Sequence, residues 1–195
     1  MEPVDRNSYD TALRVLNTAF QDNPGVMWVV KKDQKITSRI RELCRFCLTV
    51  SMEKEGAFIT SDRKGVILMI ESDKRQRFTN WLKGYKRLGQ YCIGWDRAVK
   101  MINRERKIQS RRPGSKHLYV WMIAVEDHTY GLNTIREMRD FLFETSIKRE
   151  LSIYAETTMK STLNLYLRYG FEVYDTWHVD KEGMDVYFIR RDWKS

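Results

Sequence analysis

Nine consecutive residues near the middle of the chain, HLYVWMIAV at residues 117–125, limit the possible folds more than any other segment. The run consists almost entirely of β-branched, aromatic and other apolar residues, which favour a buried strand. A strand that is apolar on both sides needs neighbouring strands beside it and covering layers above and below it. We therefore expect this run to be a central strand of a sheet with helices packed against it.

The segments around this run predict an α/β (α+β) fold with a mixed central sheet of about six to seven strands flanked by helices. The pattern before the run predicts a helix that Ser8 caps and QDNPG ends, a helix over 37–54, and a strand hairpin at 57–60 and 66–71. The pattern after it predicts a helix over 134–149, the strand LSIYAET, a helix over 163–168, a strand after Gly170, and a last strand MDVYFIR. A length of 195 residues without internal repeats fits one domain, residues 1–195.

The connection between the third and fourth strands, residues 72–115, concentrates the positive charge. It holds 13 Lys and Arg against 3 acidic residues, in a chain whose net charge is +9. Its pattern predicts two helices, at about 77–88 and 93–109. A solvated helical face is the ordinary interpretation of such a segment. Contact with the phosphates of a nucleic acid or a cofactor is the alternative.

Other features of the sequence exclude several classes of protein. No run approaches the roughly 20 apolar residues of a membrane span, and MEPVDRNSYD lacks the basic and apolar regions of a secretory signal. We therefore expect a cytoplasmic protein with no membrane partner. Cys44 and Cys47 form a C-x-x-C pair, but no second Cys or His pair completes a zinc site. We interpret them as buried structural thiols and expect no metal.

Three segments together resemble the GCN5-related N-acetyltransferase (GNAT) superfamily. They are AFQDNPGVMWVV near the N-terminus, HLYVWMIAVEDHTYGLNTIREMRDFL, and LSIYAETTMKSTLNLYLRYGFEVYDTW. The resemblance covers nearly the whole chain, because a long helical insertion before the HLYVW strand occurs in one branch of that superfamily. It implies the acyl-CoA N-acyltransferase fold, with acetyl-CoA between the strands VWMIAV and LSIYAET. The acceptor amine would enter from the opposite side, and no metal would take part.

The resemblance also implies residues for the chemistry. A Tyr at the position of Tyr166 protonates the thiolate leaving group, and a phenol is a proton donor at neutral pH. The alternative is that Tyr166 is only a core aromatic. For the general base we favour Glu71 or His117, with Tyr119 and Glu156 as further candidates. A backbone N–H of the MIAV stretch, which includes Ile123, Ala124 and Val125, would bind the oxyanion, and Ile123 is the first choice.

The pyrophosphate loop of the family corresponds here to YGLNTI. The pattern Gln/Arg-x-x-Gly-x-Gly/Ala lets backbone N–H groups approach the phosphates at a helix N-terminus. Asn133 and Ile135 occupy the small positions, so the loop is degenerate and a narrower site is expected. The residues predicted to bind the cofactor in this loop are Tyr130, Gly131, Leu132, Asn133, Thr134, Ile135 and Arg136.

Two functions remain open on this basis. The first is an acetyl-CoA-dependent N-acetyltransferase that transfers the acetyl group to a primary amine by direct attack in a ternary complex. The acceptor would be a small molecule or a peptide. The second is a catalytically degenerate protein of the same fold with a binding role through its basic insertion, for which nucleic acid is the less favoured partner. The sequence is compatible with a monomer or a homodimer.

Overall fold

The computed structural model describes residues 1–73, 98–126 and 132–195. The predicted helix at 77–88 lies outside these residues, and so do Tyr130 and Gly131. The strands within them are β1 (Glu2–Pro3), β2 (Ala57–Ile59), β3 (Gly65–Glu71), β4 (Leu118–Val125), β5 (Ile153–Thr157), β6 (Glu172–Val179) and β7 (Met184–Arg191). They form one mixed sheet in the order β1-β2-β3-β4-β5-β7-β6, in which β4 and β5 are parallel and the other pairs are antiparallel. The mixed sheet predicted from the sequence is confirmed, with β4 at its centre.

Helices cover the sheet on both sides. Those in the described residues are α1 (Tyr9–Phe20), α2 (Pro24–Val29), α3 (Ile36–Glu53), α4 (Ala98–Gln109), α5 (Leu132–Arg149) and α6 (Lys160–Arg168). Among the described residues, none of these helices combines the length and the apolar character that crossing a membrane requires.

Side-chain alternation along the strands divides the core into two layers. Ala57, Ile59, Val66 and Leu68 pack with the inner faces of α1 and α3. The residues between them on the same strands, Phe58, Ile67 and Met69, pack instead with side chains of α5 and α6. The sheet therefore carries α1 and α3 on one face and α5 and α6 on the other. Cys44 and Cys47 lie in the first layer at 0% and 3% exposure, as expected for structural thiols.

The helix α4 carries the end of the basic insertion onto the sheet. Its Ile108 is fully buried with aromatic and aliphatic side chains of α2, β6 and β7. The Arg104 guanidinium lies 4.5 Å from the ring centroid of Trp28, and the Lys107 ammonium lies 4.3 Å from that of Trp177. Such cation–π contacts stabilise by about 0.5–1 kcal/mol or more each. In the described part of the insertion, these basic side chains therefore contact aromatic rings and do not form only a solvated face.

Three local details differ from the sequence prediction. Ser8 precedes α1, but its hydroxyl donates to Asp5 Oδ1 at 2.8 Å and does not cap the helix. The helix α2 was not predicted, because QDNPG was interpreted only as a stop. Asn23 in fact caps α2 by accepting from the N–H of Val26 at 3.1 Å, with Pro24 in the first turn. The place of β7 in the sheet was not predicted, and this strand lies between β5 and β6.

Candidate active site

The two parallel strands at the centre of the sheet separate partway along their length. Their pairing covers three positions, Leu118 with Ile153, Tyr119 with Tyr154 and Val120 with Ala155. Beyond this point β4 continues to Val125 and β5 to Thr157 without further pairing between them. A gap therefore opens in the middle of the sheet toward the C-terminal ends of both strands.

A β-bulge lies on β4 where the gap begins. Met122 pairs with Leu68 and Val120 pairs with Met69, so Trp121 is an extra residue opposite β3. Trp121 and Met122 consequently both contact the layer of α1 and α3, whereas Val120 and Ile123 contact the layer of α5 and α6. The bulge bends β4 at the residue where it leaves β5.

A large cavity of about 1580 Å³ passes through this gap. Phe20, Val29 and Phe46 line it from the face of α1–α3. Met138 and Tyr166 line it from the face of α5 and α6. The cavity therefore joins the two faces of the sheet, and molecules bound on opposite faces can meet inside it. Most of the lining is aliphatic or aromatic, as in pockets that bind organic ligands.

Tyr166 lies in the last turn of α6 and lines the cavity. The helix ends at Arg168, Gly170 follows with a left-handed φ of 79°, and the N–H of Phe171 donates to the Tyr166 carbonyl at 3.1 Å. The ring of Phe171 lies 4.9 Å from that of Tyr166 and fixes its orientation. Burial, with a smaller contribution from the charge of Glu156, raises the pKa of Tyr166 well above its usual value. Tyr166 is therefore a protonated donor at neutral pH.

Glu156 lines the same cavity from β5. Its Oε1 accepts a hydrogen bond of 2.5 Å from the Tyr119 hydroxyl on β4 and one of 3.2 Å from Nη2 of Arg112. The Arg112 guanidinium also lies 3.5 Å from the centroid of the Tyr119 ring. Burial first, then the charge of Glu156, raises the pKa of Tyr119 well above its usual value, so this hydroxyl remains a donor. The site thus holds a carboxylate in a fixed position.

The structure does not bring the two favoured base candidates, Glu71 and His117, to this cavity. Both lie near the opposite end of the paired strands. Glu71 forms ion pairs with Arg149 and, at 3.6 Å, with Lys116. His117 is 4% exposed, its Nδ1 lies 2.8 Å from the carbonyl oxygen of Ser115, and burial lowers its pKa. Their contacts are those of structural residues.

Of the predicted cofactor-binding residues on β4, Ile123 and Val125 line the cavity. The side chain of Ala124 is buried in the layer of α1 and α3, so only its backbone is available to a ligand. Because β4 has no pairing with β5 beyond Val120, the backbone of this stretch faces the gap. That placement is compatible with the predicted oxyanion contact.

The described part of the degenerate loop forms the first turn of α5. Leu132 and Asn133 are exposed there, Arg136 is exposed one turn later, and Ile135 lines the cavity. Thr134 is 2% exposed, and its hydroxyl donates to Asp62 Oδ2 at 2.7 Å. The Thr134 hydroxyl therefore already donates to Asp62. The groups of this turn that can bind an anion are its backbone N–H groups.

Arg112 is the site residue that the sequence interpretation missed. It was counted only as one of the basic residues of the insertion. Its neighbours Tyr119 and Glu156 had been named as minor base candidates, and the strand alternation puts both on one face of the sheet. The contact with Arg112 has no signal in the sequence, because it depends on how the chain returns from α4 to β4.

Three solved structures have the same architecture. The C-terminal condensation domain of Ebony, solved in complex with β-alanyl-dopamine, has a TM-score of 0.70 at 11% identity, covering 98% of this chain and 97% of that one. Arylalkylamine N-acetyltransferase 2 from Aedes aegypti has a TM-score of 0.65 at 13% identity, covering 98% and 97%. The NatC complex bound to Gag peptide and CoA has a TM-score of 0.53 at 13% identity, covering 98% and 96%. No protein-family model and no curated protein sequence matches the chain.

The chain therefore has the fold of the GCN5-related N-acetyltransferase superfamily, which confirms the prediction made from the sequence. The mixed seven-stranded sheet with its flanking helices matches that fold.

Proposed function

We propose that the protein is an acetyl-CoA-dependent N-acetyltransferase that acts on a primary amine. The observation that carries this proposal is the cavity through the gap between β4 and β5, with Glu156 and Tyr166 in its wall. One face of the sheet would receive the thioester, and the other would receive the amine. Both substrates would be bound at once, in a ternary complex.

The reaction is a direct acyl transfer. The amine nitrogen attacks the thioester carbonyl carbon, and a C–N bond forms as the oxyanion develops. A backbone N–H of the β4 stretch, with Ile123 as the candidate, stabilises that oxyanion. The C–S bond then breaks, and the thiolate takes a proton from the Tyr166 hydroxyl. The thiolate forms in the same apolar surroundings as Tyr166, where desolvation raises its basicity too.

We assign the general base to Glu156. It lines the cavity on the same strand face as Tyr119, opposite the layer that contains Tyr166. From the described residues, both of its hydrogen bonds reach Oε1, which leaves Oε2 as the oxygen for the substrate amine. Glu156 would accept the proton that the nitrogen loses on attack. Glu71 and His117 line no part of this cavity, so we do not assign the base to either.

The acceptor side of the cavity favours an amine on an apolar body. Its wall includes Phe20, Val29, Phe46 and Trp121, while Glu156 supplies negative charge at the gap. The related solved structures include an arylalkylamine N-acetyltransferase and complexes with β-alanyl-dopamine and with a peptide. We expect small aromatic amines to be better acceptors than polyamines, since a polyamine would place several charges against apolar walls.

Thermal unfolding tests the donor half of the proposal. Acetyl-CoA and CoA at 100 times the dissociation constant should add about 2.7 kcal/mol to the folded state, which is a rise of a few degrees in Tm. ATP is the phosphate control and should give no comparable rise. No shift with acetyl-CoA or CoA at millimolar concentration would contradict the proposal. Release of CoA thiol in the presence of an amine panel then tests the acceptor half.

A second candidate function, binding without catalysis, has one observation in its favour. The Asp62 carboxylate accepts a hydrogen bond from the Thr134 hydroxyl in the first turn of α5. The family resemblance implies that this turn binds the pyrophosphate. A negative charge there weakens the attraction of a helix N-terminus for an anion. Binding of the donor with no CoA release for any amine would favour this second candidate.

A further inference from the structure

We propose that Arg112, in the tail of the basic insertion, is a positioning residue for acyl transfer that holds the Glu156 carboxylate in place. The inference deepens the proposed function and rests on it for its catalytic meaning. It follows from contacts between the insertion, β4 and β5.

Arg112, Tyr119 and Glu156 form one compact unit. The guanidinium lies over the Tyr119 ring at 3.5 Å from its centroid and contacts Glu156 Oε1 at 3.2 Å. Tyr119 donates to the same oxygen at 2.5 Å. The side chains of Arg112 and Glu156 are only 16% and 19% exposed, so solvent screens their attraction weakly. Two donors hold Oε1 in place, and no hydrogen bond from the described residues reaches Oε2.

The shape of arginine matters for this role. A planar guanidinium can stack on a ring and donate to a carboxylate in the same conformation, whereas a lysine ammonium offers charge without the plane. Arg112→Lys should therefore retain the charge and lose part of the orientation.

Several other charged or titratable groups influence Glu156. Among the described residues, those coupled to it or to its partners are Arg104 and Glu105 from α4, Arg112 after α4, Tyr119 from β4, Tyr166 from α6, and Tyr174 from β6. Within the described part of the chain, Arg112 is the cation in ion-pair distance of this carboxylate. Removing it should leave the carboxylate with the tyrosines and the more distant Arg104.

The neighbouring Arg111 provides a matched control. It forms an ion pair with Asp175 at 2.8 Å and lies over the rings of Trp177 and Phe188, at 5.5 and 5.4 Å from their centroids. It thus docks the same segment on the sheet, and none of these contacts involves Glu156. A substitution of Arg111 reports on docking alone, while one of Arg112 reports on docking and on the carboxylate.

The first experiment compares Arg112→Met with Arg111→Met in steady-state acetylation of an accepted amine, with kcat and KM determined separately. Arg112→Met should lower kcat by about 10- to 100-fold through misplacement of the base, while the KM for acetyl-CoA stays close to that of the wild type. Arg111→Met should leave kcat close to the wild-type value, and Arg112→Lys should recover part of the rate that Arg112→Met loses. An unchanged kcat in Arg112→Met, or an equal loss of kcat in Arg111→Met, overturns the proposal.

The second experiment needs no acceptor. Unfolding equilibria are measured for Arg112→Met, Glu156→Gln and the double variant, and for the same cycle built on Arg111→Met. In the Arg112 cycle, the double variant's equilibrium constant should depart from the product of the single effects by at least about threefold. The Arg111 cycle should be additive. Additivity in the Arg112 cycle overturns the proposal.

Two provisions keep the outcomes distinct. Arg112→Gln removes the charge and keeps a polar side chain, so it replaces Arg112→Met in both experiments if that variant does not fold. Absence of acetyl-CoA binding by the wild-type protein would contradict the proposed function, and the unfolding cycle would then decide alone whether Arg112 fixes Glu156. Normal donor binding with an additive cycle would contradict the inference and leave the proposed function intact.

Discussion

The position of Tyr166 at the end of a helix could be predicted from the sequence, and the structure shows what surrounds its ring. The spacing of Tyr166 and Gly170 puts the phenol in the last helical turn, and the left-handed Gly170 reverses the chain just after the helix. The Phe171 ring then packs against the phenol ring at a centroid distance of 4.9 Å. The result is a phenol facing the cavity from a rigid helix end, which favours the catalytic interpretation over that of a plain core aromatic.

Replacing Tyr166 with Phe should lower kcat roughly 10²- to 10⁴-fold, because the leaving thiolate loses its general acid. The affinity for CoA in thermal unfolding should stay close to that of the wild type. Tyr187→Phe is the control, since its hydroxyl contacts Asp185 on β7 and lies outside the cavity wall. Burial raises the pKa of Tyr166, so its acid form persists as the pH rises. An unchanged kcat in Tyr166→Phe would contradict the assignment, whereas a descending limb between pH 8 and 9 that disappears in this variant would contradict only the raised pKa.

Glu156→Gln tests the base. The amide keeps the size of the side chain and cannot accept the proton, so kcat should fall by roughly 10²- to 10⁴-fold. Glu71→Gln is the discriminating comparison, because Glu71 was favoured from the sequence and lies in ion pairs with Arg149 and Lys116. A large loss in Glu71→Gln together with a normal rate in Glu156→Gln would reverse our assignment.

The position of Tyr166 is easier to predict from the sequence than the surroundings of Glu156. A helix stop is a local feature, so the spacing places Tyr166 in the last turn of α6, whereas its role as the acid is implied by the resemblance and stays a prediction. The environment of Glu156 depends on Tyr119 and Arg112, which are 37 and 44 residues away along the chain. Contacts over such separations leave no periodic signal in the sequence. His117 was favoured as a base because the ordinary pKa of a histidine lies near neutral pH.

Among the elements, β4 shows where the sequence pattern misses a feature. The run is apolar on both faces, so it predicts a central strand whether or not a residue is inserted into its register. The bulge at Trp121 is therefore invisible in the pattern, although it turns two successive side chains to one face. The helix α2 was missed for a different reason, because Asn23 and Pro24 carry both a turn signal and a helix-start signal.

The junction between α3 and β2 leaves no room for a side chain at Gly56. A Cβ on Gly56 would lie 1.7 Å from the carbonyl oxygen of Met69, a backbone atom of β3 that cannot rotate away. Gly56→Ala should therefore destabilise the protein by at least about 2 kcal/mol in chemical denaturation. Gly114→Ala is the matched control, since a Cβ there meets nothing within 4 Å and should change stability by less than about 0.5 kcal/mol. Equal stability of the two variants would contradict this account.

For the molecule as a whole, the order of helices and strands was enough to predict the class of fold. A strand apolar on both faces, followed by alternating helices and strands, restricts the chain to a covered mixed sheet. The position of β7 between β5 and β6 could not be obtained in this way, because a hairpin can add on either side of its neighbour. The position of the basic insertion could likewise be read from the sequence, but its contacts with Trp28 and Trp177 could not, because they join segments that lie far apart in the chain.

A cavity lined from both faces of a sheet has a consequence for the order of events in turnover. Neither substrate must leave before the other can arrive, and no side chain needs to carry the acetyl group in between. Plots of reciprocal initial rate against reciprocal amine concentration, at several acetyl-CoA concentrations, should therefore intersect. Parallel lines would mean that an acetylated enzyme forms and CoA departs first. The parting of β4 and β5 after Val120 and Ala155 thus predicts a sequential kinetic pattern.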